Sequence, residues 1–318
     1  MKAWIAKGYG GPEVLELIER ETPRPGRGEV LVRIRATTVS AGDWRVRSLI
    51  LPPGMGVFGR PALGLFRPRK GVLGTDFAGE VAALGDGVKG FKVGDRVLGF
   101  PGGEMGCHAE FRLMPADGRI VRLPEALSFT EAAALPFGGS TALSYMRRAE
   151  TRPGETMLII GASGAVGSLL LQLAVDGGLA TTTLTSAGNR DLVAGLGASR
   201  TLDYAQTDLA ALPDRFDIIA DCVGATSFKT TRHLLKDGGR FLAIAGGIGD
   251  MIARPWQGRR AISGPADERR EDLETLVGLA VGGRIRPVID SVFAFAQMRE
   301  AHARVDSGRK RGAVVISL

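Results

Sequence analysis

The segment Gly161-Ala162-Ser163-Gly164-Ala165-Val166-Gly167 has the composition and spacing in this chain that most directly suggest chemistry. Four apolar residues in a row precede it, Met157-Leu158-Ile159-Ile160, as a parallel strand buried on both faces requires. An apolar helical run follows it, from Ser168 to Ala174. Glycines let the backbone turn sharply and approach an anion, while the free N–H groups of a helix start point at that anion. Alone, a glycine loop is a weak signal, because glycine turns are common. Set after a strand, before a helix and among repeating βα units, it specifies a pyrophosphate. Ser163, Gly164, Ala165, Val166 and Gly167 are therefore read as dinucleotide-binding, with a purely structural turn as the alternative.

The next strand bears on which dinucleotide. An NAD site usually ends that strand with Asp or Glu for the ribose 2′-hydroxyl, whereas a 2′-phosphate is accommodated by Arg and hydroxyl groups. Here the strand end reads Thr185-Ser186-Ala187-Gly188-Asn189-Arg190, with no carboxylate before Asp191. Ser186, Asn189 and Arg190 are the available donors, Arg190 is the expected phosphate partner, and NADPH is the expected cofactor. The plainer alternative is that Arg190 only decorates an exposed helix.

Elements must hold these residues in place, and their pattern changes along the chain. Up to about Val121 the sequence reads as short strands punctuated by Gly and Pro, as at Val30-Leu31-Val32-Arg33-Ile34-Arg35-Ala36. This is a β-rich, partly open barrel-like region, with no long helical periodicity before Ser128. From there a helix-rich stretch covers residues 129–146. Strands are then expected at residues 157–160, 181–185, 200–202, 216–220 and 240–245. Helices are expected between most of them, at 166–175, 190–196 and 228–235. Such alternation means a doubly wound parallel sheet. After about Ile262 the pattern is mixed again, with helices at 272–281 and 296–306, an extended Val288-Ile289-Asp290 and a closing strand at 314–316. The expected architecture is α/β: a dinucleotide domain, residues 123–263, inserted into a split catalytic domain, residues 1–122 and 264–318.

Composition is ordinary for a globular chain of 318 residues, with 44% hydrophobic and 24% charged residues. Net charge is +7, with a pI near 9.8. A basic chain suits nucleic acid, a membrane surface or an anionic small molecule. No nucleic-acid motif accompanies the charge, so a solvated basic surface plus a phosphate-bearing cofactor is the preferred reading. Two cysteines, Cys107 and Cys222, exclude a disulfide framework. No apolar run approaches the roughly 20 residues of a membrane span. Met1-Lys2-Ala3-Trp4 leads straight into strand-like sequence, so no signal peptide is expected, and a soluble cytoplasmic location is.

Seven segments in order carry a family likeness: Val39-Ser40-Ala41-Gly42-Asp43-Trp44-Arg45, Leu73-Gly74-Thr75-Asp76-Phe77-Ala78-Gly79, Phe91-Lys92-Val93-Gly94-Asp95-Arg96-Val97, Ala132-Ala133-Ala134-Leu135-Pro136 with Ser140-Thr141-Ala142, the glycine loop, Leu196-Gly197-Ala198 with Leu202-Asp203-Tyr204, and Asp221-Cys222-Val223-Gly224. With them the chain resembles the zinc-free quinone oxidoreductase, zeta-crystallin-like branch of the medium-chain dehydrogenase/reductase superfamily. The resemblance implies a GroES-like catalytic domain and a Rossmann domain. It also implies NADPH-dependent reduction of a quinone or an α,β-unsaturated carbonyl compound, and a homodimer joined at the edge of the nucleotide domain. By family position it places Ser40, Asp43 and Trp44 on the loop facing the nicotinamide and Thr141 at a helix start near the ring. Tyr204, Cys222 and Val223 are cofactor contacts by the same token, and Gly246-Gly247-Ile248 reach the nicotinamide amide through the backbone. Ser40 stands where the family usually has Asn, which shortens the hydrogen-bonding group. Asp43 is weighed as a loop anchor ahead of a catalyst, and Trp44 as pocket wall or core.

Zinc enzymes of the same superfamily are the first competing reading. Ser40 and Thr75-Asp76 stand where those enzymes carry Cys and a His-Glu pair, and a catalytic zinc needs three protein ligands. The four-cysteine structural cluster is absent too, so no metal is expected. Without one, hydrogen bonds and the cofactor must polarise the carbonyl, which favours reduction of an activated acceptor over oxidation of a simple alcohol. The other competitor is a non-catalytic NADPH-binding sensor or basic RNA-binding protein. Residues 49–69, apolar and poorly periodic, are read as a mobile lid over an apolar substrate, or else as a surface loop with no role.

Overall fold

The computed structural model describes all 318 residues, apart from the side chains of Val57 and Phe58. Along the chain run β1 (Lys2–Ala6), β2 (Leu15–Glu19), β3 (Glu29–Val39), α1 (Ala41–Ser48), α2 (Gly56–Leu63), β4 (Phe77–Leu84), β5 (Arg96–Gly99), β6 (Phe111–Pro115), β7 (Ile120–Arg122) and α3 (Phe129–Ala133). Next come α4 (Pro136–Ala149), β8 (Thr156–Ile160), α5 (Ala165–Asp176), β9 (Ala180–Thr185), α6 (Arg190–Gly195), β10 (Arg200–Asp203), β11 (Phe216–Asp221), α7 (Phe228–Thr231), β12 (Leu235–Ala243), α8 (Ile248–Met251) and β13 (Arg260–Ser263). The chain closes with α9 (Arg270–Val281), β14 (Ile289–Ala294), α10 (Met298–Asp306) and β15 (Ala313–Ser317).

Two compact units emerge: Met1–Ile50, Val57–Ser140 and Glu268–Leu318 form the first, and Leu51–Gly56 with Thr141–Asp267 the second. The division drawn from sequence pattern, at 122/123 and 263/264, remains a proposal about domains. Compactness sets residues 123–140 with the β-rich unit and residues 264–267 with the parallel sheet.

The first unit is GroES-like. Its seven-stranded sheet runs β14-β15-β3-β4-β5-β7, with β6 paired to β3. The alternating apolar residues of β3 supply Val30, Val32 and Ile34 to a core shared with Phe77, Val81, Val97, Met114 and Ile120. β15 returns from the far end of the chain to lie antiparallel to β3, with Val315 opposite Thr38. A second core gathers Trp4, Leu15, Val39, Leu73, Met298, Val314 and Ile316, and Trp44 packs against it.

The second unit holds a six-stranded sheet in the order β10-β9-β8-β11-β12-β13, parallel throughout. This is a Rossmann arrangement. Strand order reverses between β8 and β11, and the crevice at the carboxyl ends of those strands is where such sheets bind ligands.

Several elements differ from the sequence reading. The stretch 129–146 is two helices, because Pro136 cannot donate to the preceding turn. Strand β12 starts at Leu235, and residues 236–239 bulge before pairing with β11 resumes at Arg240. The helix expected over 228–235 therefore shortens to α7 and a 3-10 turn at Arg232–Leu234. β13 goes unread in the sequence, its four residues opening on an exposed Arg260. Within residues 49–69 stands helix α2; the part of the lid reading that rests on the Val57 and Phe58 side chains lies outside the described residues. No helix among the described residues is long and apolar enough to cross a membrane.

Candidate functional site

The glycine loop is shaped by its own backbone. Gly164 N–H donates to Gly161 O at 3.2 Å, and Gly164 caps α5 without any side-chain hydrogen bond, so the first N–H groups of that helix stay open to an anion. A Cβ on Gly167 would lie 2.2 Å from Gly161 O and 2.8 Å from Ala162 Cα, so only glycine lets helix and loop meet here. Ala165 and Val166 form the first turn of the helix. Ser163 Oγ accepts from Asn189 Nδ2 at 2.9 Å and from Thr185 Oγ1 at 3.2 Å. The Asn189 amide is thus a strut for the loop.

At the ends of β9 and β10, Thr185 and Asp203 are register partners, which sets Ser186 and Tyr204 side by side on the carboxyl edge. Tyr204 is exposed, and its N–H donates to Thr185 O at 3.1 Å. Arg190 Nη2 lies 3.4 Å from Asp203 Oδ2, with the guanidinium 45% exposed and the carboxylate 5% exposed. Asp203 also accepts from Ala205 N–H at 3.0 Å. A buried, anchored carboxylate thus holds an exposed guanidinium in place.

At the end of β11, Asp221 accepts four hydrogen bonds, from Val223 N (2.9 Å), Gly224 N (2.7 Å), Thr226 N (2.6 Å) and Thr226 Oγ1 (2.8 Å). That clamp fixes the turn carrying Cys222 and Val223, and Cys222 N–H donates to Ile160 O at 3.1 Å, beside the glycine loop. Burial pushes the Cys222 thiol well up, with the Asp221 charge adding to it, so it stands protonated. Ala245 N–H donates to Asp221 O at 3.2 Å, setting the Gly246-Gly247 turn next to this corner, and Ile248 N–H donates to Pro53 O at 3.1 Å. The cofactor residues assigned from sequence therefore gather along one edge of the sheet. The two carboxylates that hold them, Asp203 and Asp221, received no role from sequence. Their signal was an Asp just before a turn, whose short side chain satisfies nearby backbone N–H groups.

The first unit behaves differently. Ser40 caps α1 in a capping box with Asp43. Asp43 is fully buried; its Oδ2 accepts from Ser40 N (2.7 Å) and Ser40 Oγ (2.6 Å), and its Oδ1 accepts from Gly74 N (2.7 Å). Both oxygens are spent, which supports the anchor reading over the catalytic one. Ser40 is itself buried, with its hydroxyl proton directed at Asp43. Trp44 is half-buried against the core, and Thr141, expected at a helix start, lies instead in the second turn of α4 and belongs to the other unit.

Asp76 is buried, and burial pushes its carboxyl up to about 7, the nearby Asp43 charge reinforcing and the Thr38 hydrogen bonds opposing that rise. Thr38 donates to it through its N–H at 2.9 Å and its hydroxyl at 2.7 Å. A zinc ion does not fit this donor set. Ser40 and Asp76 are committed to Asp43 and Thr38, and among the described residues no group of three or more His, Cys, Asp and Glu is placed to hold a metal ion.

Residues 26–125 match the family model described as alcohol dehydrogenase GroES-like domain, and residues 196–316 match the one described as zinc-binding dehydrogenase. A 2-methylene-furan-3-one reductase from Solanum lycopersicum is 32% identical over 99% of this chain and 79% of its own length. The chain is a medium-chain dehydrogenase/reductase. Another relative of this medium-chain dehydrogenase/reductase, an NADPH-dependent alkenal/one oxidoreductase from Arabidopsis thaliana, is 28% identical over 99% of the chain and 79% of its own length. Among solved structures, the quinone oxidoreductase from Coxiella burnetii superposes with a TM-score of 0.88 at 30% identity, covering 100% of this chain and 99% of that one.

Proposed function

We propose that this medium-chain dehydrogenase/reductase reduces quinones or α,β-unsaturated carbonyl compounds with NADPH and without a metal ion. The observation that carries this reading is the contrast between an open anion-binding edge in one unit and a spent donor set around Ser40 and Asp76 in the other. With Ser40, Asp43 and Asp76 engaged with one another and with Thr38 there, a simple alcohol would have little help in losing its proton. Reduction of a conjugated acceptor needs less, because the developing enolate or phenolate charge is delocalised. The names of the tomato, Arabidopsis and Coxiella relatives support the same acceptor classes.

A bound nicotinamide dinucleotide would supply the hydride. The loop Ser163–Gly167 would hold its pyrophosphate through backbone N–H groups. Arg190, steadied by Asp203, and Ser186 would meet the 2′-phosphate, with Tyr204 beside them and Asn189 bracing Ser163. Cys222, Val223 and Gly246-Gly247-Ile248 would line the nicotinamide half, their turns fixed by Asp221 and Pro53. Ser40 and Trp44, on the segment that Asp43 anchors, are the proposed acceptor-side residues of the first unit, and Thr141 that of the second. A homodimer through the nucleotide-unit edge belongs to the same reading, since β13 is an edge strand of the sheet.

The test is NADPH and NADH consumption against a panel of quinones and enones with a chelator present. Chelator-resistant turnover that prefers NADPH is expected. Turnover abolished by the chelator would instead indicate a zinc dehydrogenase, and tight NADPH binding without turnover a sensor.

A further inference from the structure

The second unit contains a cavity of about 540 Å³, within the roughly 300–1,000 Å³ of small-molecule pockets. Its walls are the segments that leave the carboxyl ends of β11 and β12, residues 224–232 and 245–256, with Pro53 closing one side. Three cations line it, Lys229, Arg232 and Arg254, and none has a carboxylate partner among the described residues. Arg232 instead lies over the Trp256 ring, 4.5 Å from its centroid. The acidic wall residue, Asp250, is buried, and its Oδ1 is used by Phe228 N–H at 2.9 Å. Its Oδ2 lies 2.9 Å from where a Cβ on Gly246 would stand, so it packs against the glycine turn. Positive charge is therefore in excess around a floor to which Phe228, Ala253 and Trp256 contribute, with the Arg232 and Arg259 guanidiniums 4.5 and 5.1 Å from the indole centroid.

Lys229 and Arg254 are exposed, so solvent screens part of their repulsion, and an anion entering the cavity would relieve the rest. Arginine's planar fork matches a carboxylate in two hydrogen bonds, and an indole edge suits a flat apolar body. Gly246 and Gly247, which the functional reading sets at the nicotinamide end, are themselves part of the wall.

We infer that this cavity binds the anionic end of the acceptor, so that the substrate is a carboxylate-bearing enone or quinone with a flat apolar body. The inference rests on the reductase reading for the reacting end and on the cavity alone for the anion. Lys229, Arg232 and Arg254 receive the carboxylate, and the wall formed by Ala253 and the edge of Trp256 takes the apolar body. A phosphate of the cofactor is the other anion these cations could meet, and the experiment separates the two.

The probes are trans-3-benzoylacrylate and its methyl ester, matched enones that differ in one negative charge. Wild-type protein is expected to favour the acid by about tenfold or more in kcat/KM, the size of a charge-assisted hydrogen-bond pair. Arg232→Gln and Arg254→Gln should each collapse the acid-to-ester ratio by raising KM for the acid. Equal use of acid and ester by the wild type, or a preference that survives both substitutions, overturns the anion site and leaves the reductase reading standing. Weaker NADPH binding in the variants with the acid preference intact assigns the cations to the cofactor and overturns it too. If neither probe is turned over, the reductase reading is judged on the wider quinone and enone panel, and the cavity is tested by tryptophan fluorescence. Saturable quenching by the acid that is lost in Trp256→Phe and weakened in Arg232→Gln supports the site, and no quenching overturns it.

Discussion

The carboxyl edge of the parallel sheet and the buried corner around Ser40 are comparably rich in polar groups, and they use them in opposite ways. Along the sheet edge, carboxylates turn inward to fix the backbone: Asp203 steadies Arg190 and Asp221 clamps the turn of Cys222 and Val223. What stays accessible is the uncapped start of α5, the Arg190 guanidinium and the Tyr204 ring. Around Ser40 and Asp76 in the first unit the carboxylates and their neighbours consume one another, although the buried His108 Nδ1 beside them has no hydrogen-bond partner among the described residues. Asp43 takes Ser40 and Gly74, and Asp76 takes Thr38. Arg47, fully buried, donates to Gly10 O and His302 Nδ1 and pairs with Asp306. Polar density alone does not mark a binding surface; whether the groups are already satisfied does.

This contrast breaks most visibly at Asp43. Asp43→Ala orphans three buried donors, and the expected cost is about 3–5 kcal/mol of unfolding free energy, read from urea denaturation. A loss of activity with stability changed by less than about 1 kcal/mol would make Asp43 catalytic and undo the comparison. In the other unit, Gly167→Ala forces a Cβ against Gly161 O and should cost about 1–3 kcal/mol. Titration should also show NADPH binding weakened at least about tenfold, because the loop must open at its closest approach. Smaller again, Arg190→Ala should raise the KM for NADPH about tenfold while leaving that for NADH within about twofold. Asp203→Asn should move the same ratio in the same direction by less.

The smallest effect is a pH dependence of stability in the first unit. Asp76 is protonated more readily in the fold than in the open chain, so its contribution is present below the ordinary 3.8 and lost as pH rises through about 7. His302 works the other way. Burial, reinforced by His108 and Arg47, holds it well below 6.5, and its contribution is present above 6.5 and lost as pH falls. Asp76→Asn keeps the Thr38 hydrogen bonds without the charge. Its Tm is expected to exceed that of the wild type by a few degrees at pH 8, with the gap closing towards pH 4. A gap that widens on acidification would show that the carboxylate, not the acid, is the stable form.

The contrast also explains what the sequence revealed. The glycine loop was legible because everything that defines it is local: four apolar residues, glycines at fixed spacing and an apolar helix, all within Met157–Ala174. The capping pair Ser40-x-x-Asp43 was local as well, yet its third partner, Gly74, lies 31 residues on, and only that contact shows the carboxylate to be fully spent. β12 was misplaced because Lys236-Asp237-Gly238-Gly239 reads as a turn, although Leu235 before it already pairs with Phe216. β13 was missed because a four-residue edge strand with one buried side chain leaves almost no pattern. The cation-lined cavity had no sequence signal, since Lys229 and Arg254 meet only once β11 and β12 lie side by side.

The most direct test of the central claim follows one hydrogen from cofactor to product. The protein, treated with a chelator, is given NADPH carrying deuterium at the transferable C4 position together with an enone, and the product is examined by mass spectrometry. Reduction of the C=C bond with one deuterium at the β-carbon, the second new hydrogen coming from solvent, is the predicted result. A saturated product without deuterium, or deuterium found only at an alcohol carbon after carbonyl reduction, would contradict the account.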